Sequence, residues 1–150
     1  MNKKNILISS CLYGNKVRYD GKHNKINEDL FSKLKEKYNL FYFCPEVEGG
    51  LPTPRIPCEI ISSEPLKIIN KNLEDKTEAF LIGAQKTLQL CLENSISKAI
   101  LKANSPSCSS KFVYDGSFSG IKIEGFGVTT KLLKENGIEV FDEYEIEKLL

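Results

Sequence analysis

Leu40-Phe41-Tyr42-Phe43-Cys44-Pro45-Glu46-Val47-Glu48-Gly49-Gly50-Leu51-Pro52-Thr53-Pro54-Arg55 passes in one step from an apolar, aromatic run to a thiol, carboxylates, glycines and prolines. The run Leu40 to Phe43 reads as a short buried strand. The residues from Cys44 to Arg55 are not packing material. Gly50 and Pro52 break regular structure, and Pro45 and Pro54 stiffen the backbone around the polar groups. A strand that ends in reactive side chains on a stiff loop is a common way for an α/β protein to present chemistry.

The same pattern recurs on either side. Ile6-Leu7-Ile8 is followed by Ser9-Ser10-Cys11, and Ala99-Ile100-Leu101 by Asn104-Ser105-Pro106-Ser107-Cys108. Ile138 to Phe141 reads as a further strand. Helices are expected between them. Asn27 can cap one whose apolar positions are Leu30, Phe31, Leu34 and Tyr38. Asp75 with Glu78 resembles a capping box ahead of the face Phe80, Leu81, Ala84, Leu88, Cys91 and Leu92. A third runs from Val128 to Glu135 and stops at Asn136-Gly137, and Asp142 and Glu145 cap a short last helix ending at Leu150. Leu51 to Asn72 reads as a small hairpin or a meandering connection, and Leu12 to Asn24 and Lys111 to Phe126 read as loops. The alternation predicts an α/β fold, an open parallel sheet of about four main strands with helices on both faces and right-handed crossovers, Rossmann-like.

At 150 residues the chain is expected to form a single domain, 1–150. A domain of that size buries roughly 70% of its unfolded surface and needs no disulfide staple. Lys+Arg of 21 against Asp+Glu of 20 leaves a net charge of +1. That balance gives no excess of positive charge for duplex nucleic acid. The apolar stretch after Met1 is too short for a signal peptide, and no run reaches membrane-spanning length, so a cytoplasmic protein is expected. Five cysteines, with no Cys-x-x-Cys pair, are in a reducing compartment more often buried, catalytic or metal-bound than disulfide-linked.

Cys11, Cys44 and Cys108 each lie just past the C-terminal end of a predicted strand. In a parallel sheet those ends share one edge, so the three can converge in space. The plainer reading is that cysteine is a small, well-buried apolar residue. Cys91, on an apolar helix face, fits that reading, and Cys58 is assigned a structural role. Three thiolates can hold zinc with a fourth ligand, or an iron–sulfur cluster. The sole histidine, His23, is either that fourth ligand or a solvated loop residue. Without a fourth ligand one metal position stays open, as a catalytic site needs. Gly125-Phe126-Gly127, before a helix, offers either free amides for an anion or simply a turn.

Taken in order, Ser10-Cys11-Leu12 with Arg18-Tyr19-Asp20-Gly21, Cys44-Pro45-Glu46 with Gly49 to Arg55, Ser105-Pro106-Ser107-Cys108, and Tyr114 to Gly120 resemble the thiouracil desulfidase family over nearly the whole chain. The resemblance implies a [4Fe-4S] cluster on Cys11, Cys44 and Cys108 and the removal of sulfur from a small thiolated base such as 2-thiouracil. It implies Glu46 as the acid/base carboxylate and Ser105 as the assisting hydroxyl. Ser10, Arg18, Asp20, Tyr114 and Asp115 are then candidates to line the base pocket. Two positions depart from the family pattern: Val17 where many relatives carry a second cysteine, and Ser109 where glycine is usual. Neither is an implied ligand. On the residues alone, Glu46 is as readily a partner for Arg55, Ser105 a turn residue, and Arg18 and Asp20 a surface pair. The alternative function is a non-catalytic zinc or redox-sensing cysteine module, and a third is a nucleotide-binding α/β domain with packing thiols.

Overall fold

Ile6, Leu7 and Ile8 are fully buried because their strand is covered on both faces and flanked on both sides. A computed structural model describes residues 2–150. In chain order the elements are β1 (Lys4–Ser9), α1 (Ser10–Tyr13), α2 (Glu28–Lys37), β2 (Tyr38–Phe43), α3 (Pro45–Glu48), β3 (Cys58–Ser63), β4 (Leu66–Asn70), α4 (Thr77–Glu93), β5 (Lys98–Ile100), β6 (Phe112–Tyr114), β7 (Lys122–Glu124), α5 (Val128–Glu135), β8 (Glu139–Phe141) and a closing 3-10 turn at Ile146–Leu149.

The main sheet has four strands in the order β2-β1-β5-β8, all parallel. Ile8 lies level with Tyr42 of β2 on one side and Ile100 of β5 on the other. From β1 the chain steps outward to β2, then returns past β1 to β5 and goes on to β8. Right-handed crossovers place helices on opposite faces when the direction of travel reverses. Accordingly α2 and the closing turn cover one face, where Ile6 and Ile8 meet Phe31, Leu34, Ile146 and Leu149. Helices α4 and α5 cover the other, where Leu7 and Ala99 meet Cys91 and Leu133. The alternation of Ile6, Leu7 and Ile8 between the faces is the two-residue period of a strand. The reversal opens a crevice beyond the C-terminal ends of β1 and β5.

Local chemistry sets several boundaries as expected. Asn27 caps α2, its Oδ1 accepting the Leu30 amide at 2.9 Å, and α5 stops at Asn136. Other expectations are corrected. The aromatic run is an edge strand rather than a fully buried one, with Tyr42 exposed and stacked on Tyr13 at 4.7 Å. Tyr38 opens β2 instead of ending the helix before it. Asp75 accepts the Thr77 amide at 2.9 Å from one residue ahead of the N-cap, so no capping box with Glu78 forms. The stretch from Lys111 to Phe126 is not a bare loop: β6 and β7 pair within it as an antiparallel hairpin. Of the two readings of Leu51 to Asn72, the hairpin is the one that forms, with β3 and β4 paired antiparallel.

The buried face of α4 is Phe80, Gly83, Ala84, Thr87 and Cys91, while Leu81 and Leu92 are exposed. The reason is α3, which lies against this face: a Cβ on Gly83 would sit 1.9 Å from the Pro45 carbonyl oxygen. Gly83 therefore permits the close approach that seats the turn carrying Glu46. Gly83→Ala is expected to lower the urea-unfolding free energy by about 1–3 kcal/mol through overpacking; an unchanged midpoint would show that α3 yields without cost.

Candidate active site

Beyond the C-terminal ends of β1, β2 and β5 lies a cavity of about 390 Å³, and Cys11, Cys44 and Cys108 all line it. Cys11 is in the first turn after β1, Cys44 immediately follows β2 at the N-cap of α3, and Cys108 closes the loop after β5.

Each thiol's loop is fixed by backbone hydrogen bonds. The Cys11 carbonyl accepts the Asn24 amide at 2.9 Å, which folds the intervening loop back over the site. The Cys44 carbonyl accepts the Glu48 amide at 3.0 Å, closing the single turn of α3. The Cys108 loop is held by the start of α5. Val128 N–H donates to the Pro106 carbonyl at 2.9 Å and Thr129 N–H to that of Ser107 at 2.8 Å, and Thr130 Oγ1 donates to the Cys108 carbonyl at 2.6 Å. The approach is so close that a Cβ on Gly127 would lie 2.4 Å from the Ser107 carbonyl carbon. Amides at this helix start are thus committed to loop carbonyls rather than offered to an anion.

Burial pushes the Cys11 thiol up to about 11, with Cys44 adding to the effect and Lys102 opposing it. It pushes Cys108 up to about 12, against a hydrogen bond from Ser107 and with Cys44 and Glu46 adding to it. Cys44 is raised by the same cause, partly offset by the Val47 amide. Thus Cys44 acts electrostatically on both of the other thiols. With no cation between them, three thiolates here would be costly, and the groups are neutral thiols at ordinary pH. A thiophilic cationic group would reverse that balance by replacing their protons. Among the described residues, no three His, Cys, Asp or Glu side chains are gathered closely enough to hold a single ion. Three soft sulfur donors lining one cavity are the donor set that a thiophilic metal group takes.

Glu46 meets both of its possible partners at once. Its Oε1 accepts Arg55 Nε at 3.1 Å, in a pair whose side chains are only 6% (Arg55) and 14% (Glu46) exposed. Arg55 also donates from Nη1 to the Val17 carbonyl at 3.0 Å, tying the first loop to this one. Glu46 Oε2 accepts Ser107 Oγ at 2.9 Å and lies 3.4 Å from Ser105 Oγ. Ser105 Oγ already accepts the amides of Ser107 and Cys108, both at 3.1 Å. With its two lone pairs so engaged, its own proton points to Ser107 Oγ at 2.9 Å. Ser107 has one proton and two acceptors, Glu46 Oε2 at 2.9 Å and Cys108 Sγ at 3.4 Å, and the shorter contact makes the chain run from Ser105 to Ser107 to Glu46.

Of the other residues singled out in the sequence, Ser10, Arg18 and Tyr114 line the cavity. Asp20 does not; it pairs with Arg18 at 3.4 Å and accepts the Lys22 amide. Asp115 is outside the lining and accepts the Ser117 amide within its own turn. His23 also lies away from the cavity, its Nδ1 accepting the Lys25 amide at 3.1 Å. Cys91 is in the core, as expected. Lining residues to which the sequence assigned no site role are Ser107, Lys102, Glu59 and, as a wall residue rather than a structural one alone, Cys58. Lys102 pairs with Glu143 at 2.8 Å. Only Ser107 had a signal, its place beside Cys108 in a Ser-Pro-Ser-Cys loop.

The thiol environment makes a prediction for protein prepared with these thiols free. Cys44, the least buried of the three, should be alkylated first at pH 8. Modification of Cys11 and Cys108 should accelerate about tenfold per pH unit toward pH 11, because only the thiolate reacts. Mass spectrometry of each cysteine peptide checks this, and rapid labelling of Cys108 at pH 7 would contradict it.

Comparison with known proteins agrees with this geometry. The sequence profile of the family described as 2-thiouracil desulfurase matches residues 6–145. An uncharacterized protein of Bacillus subtilis (strain 168), YbbK, is 44% identical over 152 aligned positions, which cover 97% of this chain and 99% of that one. The solved structure of a [4Fe-4S]-dependent thiouracil desulfidase, TudS, superposes with a TM-score of 0.92 at 41% identity, covering 98% of this chain and 95% of that one. By sequence profile, relatives and fold, this chain belongs to the 2-thiouracil desulfurase family.

Proposed function

We propose that this protein desulfurises a thiolated nucleobase of the 2-thiouracil kind, releasing hydrosulfide and the oxo base, with a [4Fe-4S] cluster held by Cys11, Cys44 and Cys108. The observation that carries the reading is the meeting of three thiols and a fixed carboxylate on one cavity wall. Family membership and the [4Fe-4S]-dependent structural relative support it. A cluster on three thiolates supplies a thiophilic, Lewis-acidic iron with one position left for the substrate sulfur.

The chain's own residues do the rest. Arg55 occupies Oε1 of Glu46 and so holds the carboxylate at one angle, leaving Oε2 to act. Attack of water on the thiocarbonyl carbon releases one proton, which Glu46 accepts at Oε2. Collapse to the carbonyl breaks the carbon–sulfur bond while the remaining hydroxyl proton passes to sulfur, which departs as hydrosulfide; no electrons are exchanged. Ser107 and Ser105, hydrogen-bonded in line with Oε2, offer a path by which the proton held on Glu46 leaves to solvent, so that thiocarbonyl and water give carbonyl, hydrosulfide and one proton. Lys102 lines the same cavity with its ammonium paired to Glu143 at 2.8 Å. The ligand is a small molecule, and no helix among the described residues is long and apolar enough to cross a membrane. We place the reaction in the cytoplasm, where the thiols stay reduced.

Purified without oxygen, wild-type protein should be brown and release hydrosulfide from 2-thiouracil. Cys11→Ala, Cys44→Ala and Cys108→Ala should each lose the colour, whereas Cys91→Ala should keep it. Glu46→Gln should stay brown and lose about 10²–10⁴-fold in kcat. A colourless wild type with full turnover, or a fully active Glu46→Gln, would refute the assignment.

A further inference from the structure

We infer that Glu59 is the residue that reads the base, its Oε2 accepting a ring N–H beside the thiocarbonyl. The inference rests on the function proposed above and names a specificity residue for that site. A cyclic thioamide such as 2-thiouracil differs from other small sulfur compounds by presenting an N–H next to its C=S. A site selects such a donor with a rigid acceptor, and a carboxylate is the strongest one that a side chain offers. The cavity is lined by two carboxylates, Glu46 and Glu59. Glu46 is taken up by the reaction proposed above, its Oε1 held by Arg55 and its Oε2 beside the serines as the proton acceptor.

Glu59 is committed on one oxygen. Its Oε1 accepts the Gly116 amide at 3.0 Å and the Phe118 amide at 3.2 Å. These amides belong to the turn that joins β6 to β7, the same glycine-bearing stretch from Tyr114 to Gly120 that stood out in the sequence. Among the described residues no donor meets Oε2. The two amides therefore hold the side chain of this cavity-lining residue through one oxygen and leave the other as a free acceptor. An acceptor held in place before binding loses little freedom when the ligand arrives. Tyr114, also on the wall, precedes that turn by two residues, so the turn, its tyrosine and Glu59 form one unit.

The test measures affinity of the cluster-loaded protein for uracil and for 1,3-dimethyluracil by calorimetry. KM for 2-thiouracil and hydrogen exchange at the Gly116 and Phe118 amides are recorded alongside. Glu59→Gln keeps a carbonyl oxygen for the two amides but turns an NH2 toward the ring N–H. It should weaken uracil binding and raise KM by about 10- to 100-fold, the range for one hydrogen bond to a charged group. It should leave 1,3-dimethyluracil binding and the exchange of both amides unchanged. Glu59→Ala should instead release the turn and speed exchange at both amides. Uracil bound equally by wild type and Glu59→Gln would overturn the inference. So would a Glu59→Gln loss shared by both ligands and accompanied by faster exchange, since Glu59 would then be only a latch for the turn. If wild type turns over 2-thiouracil and Glu59→Gln matches it, only the role of Glu59 falls; if wild type neither binds uracil nor turns over 2-thiouracil, the proposed function falls with it.

Discussion

A parallel sheet delivers every strand's C-terminal end to one edge, and in this chain three of the four ends run directly into a thiol-bearing loop. The sequence distance between Cys11 and Cys108 becomes irrelevant once β1, β2 and β5 are neighbours in register. The reversal of direction at β1 adds the crevice, since the connections leaving β1 and β5 run on opposite faces. The site is thus a consequence of topology before it is a consequence of any one side chain.

What keeps that edge in order is backbone chemistry rather than the thiols. The first amides of α5 hold the Pro106 and Ser107 carbonyls, the Asn24 amide holds that of Cys11, and α3 is seated on α4 through the bare face at Gly83. Arg55 links two of these loops through Val17 and Glu46. Without a bound group the thiols themselves are burdened by burial, which raises all three. A thiophilic cationic group that took their protons would relieve that burden.

Much of this was legible in the residues. Short apolar runs followed by Ser, Pro and Cys located three of the main strands and their loops, and the Asn27 and Asn136-Gly137 signals located the helix boundaries. Less legible was anything set by contacts distant in sequence. The buried face of α4 turns on Gly83 because α3 packs there, which no periodicity of leucines reveals. The hairpin β6–β7 lies in a glycine- and serine-rich stretch with weak strand character, and it is pinned by Glu59 from β3. Glu46 looked like either a catalytic group or an ion-pair partner, and only the geometry showed that Oε1 meets Arg55 while Oε2 meets Ser107. Lys102 and Glu59 carry no local motif, and their presence on the wall stems from where β5 and β3 end and begin.

The account depends on three thiols gripping one inorganic group and leaving it a vacancy. Mössbauer spectroscopy of protein reconstituted without oxygen with ⁵⁷Fe tests this most directly. It should show about four iron per chain, accompanied by about four acid-labile sulfides, with one iron site distinct from the rest and altered by 2-thiouracil. Four equivalent irons indifferent to 2-thiouracil, or a preparation that takes up zinc and no iron, would contradict it.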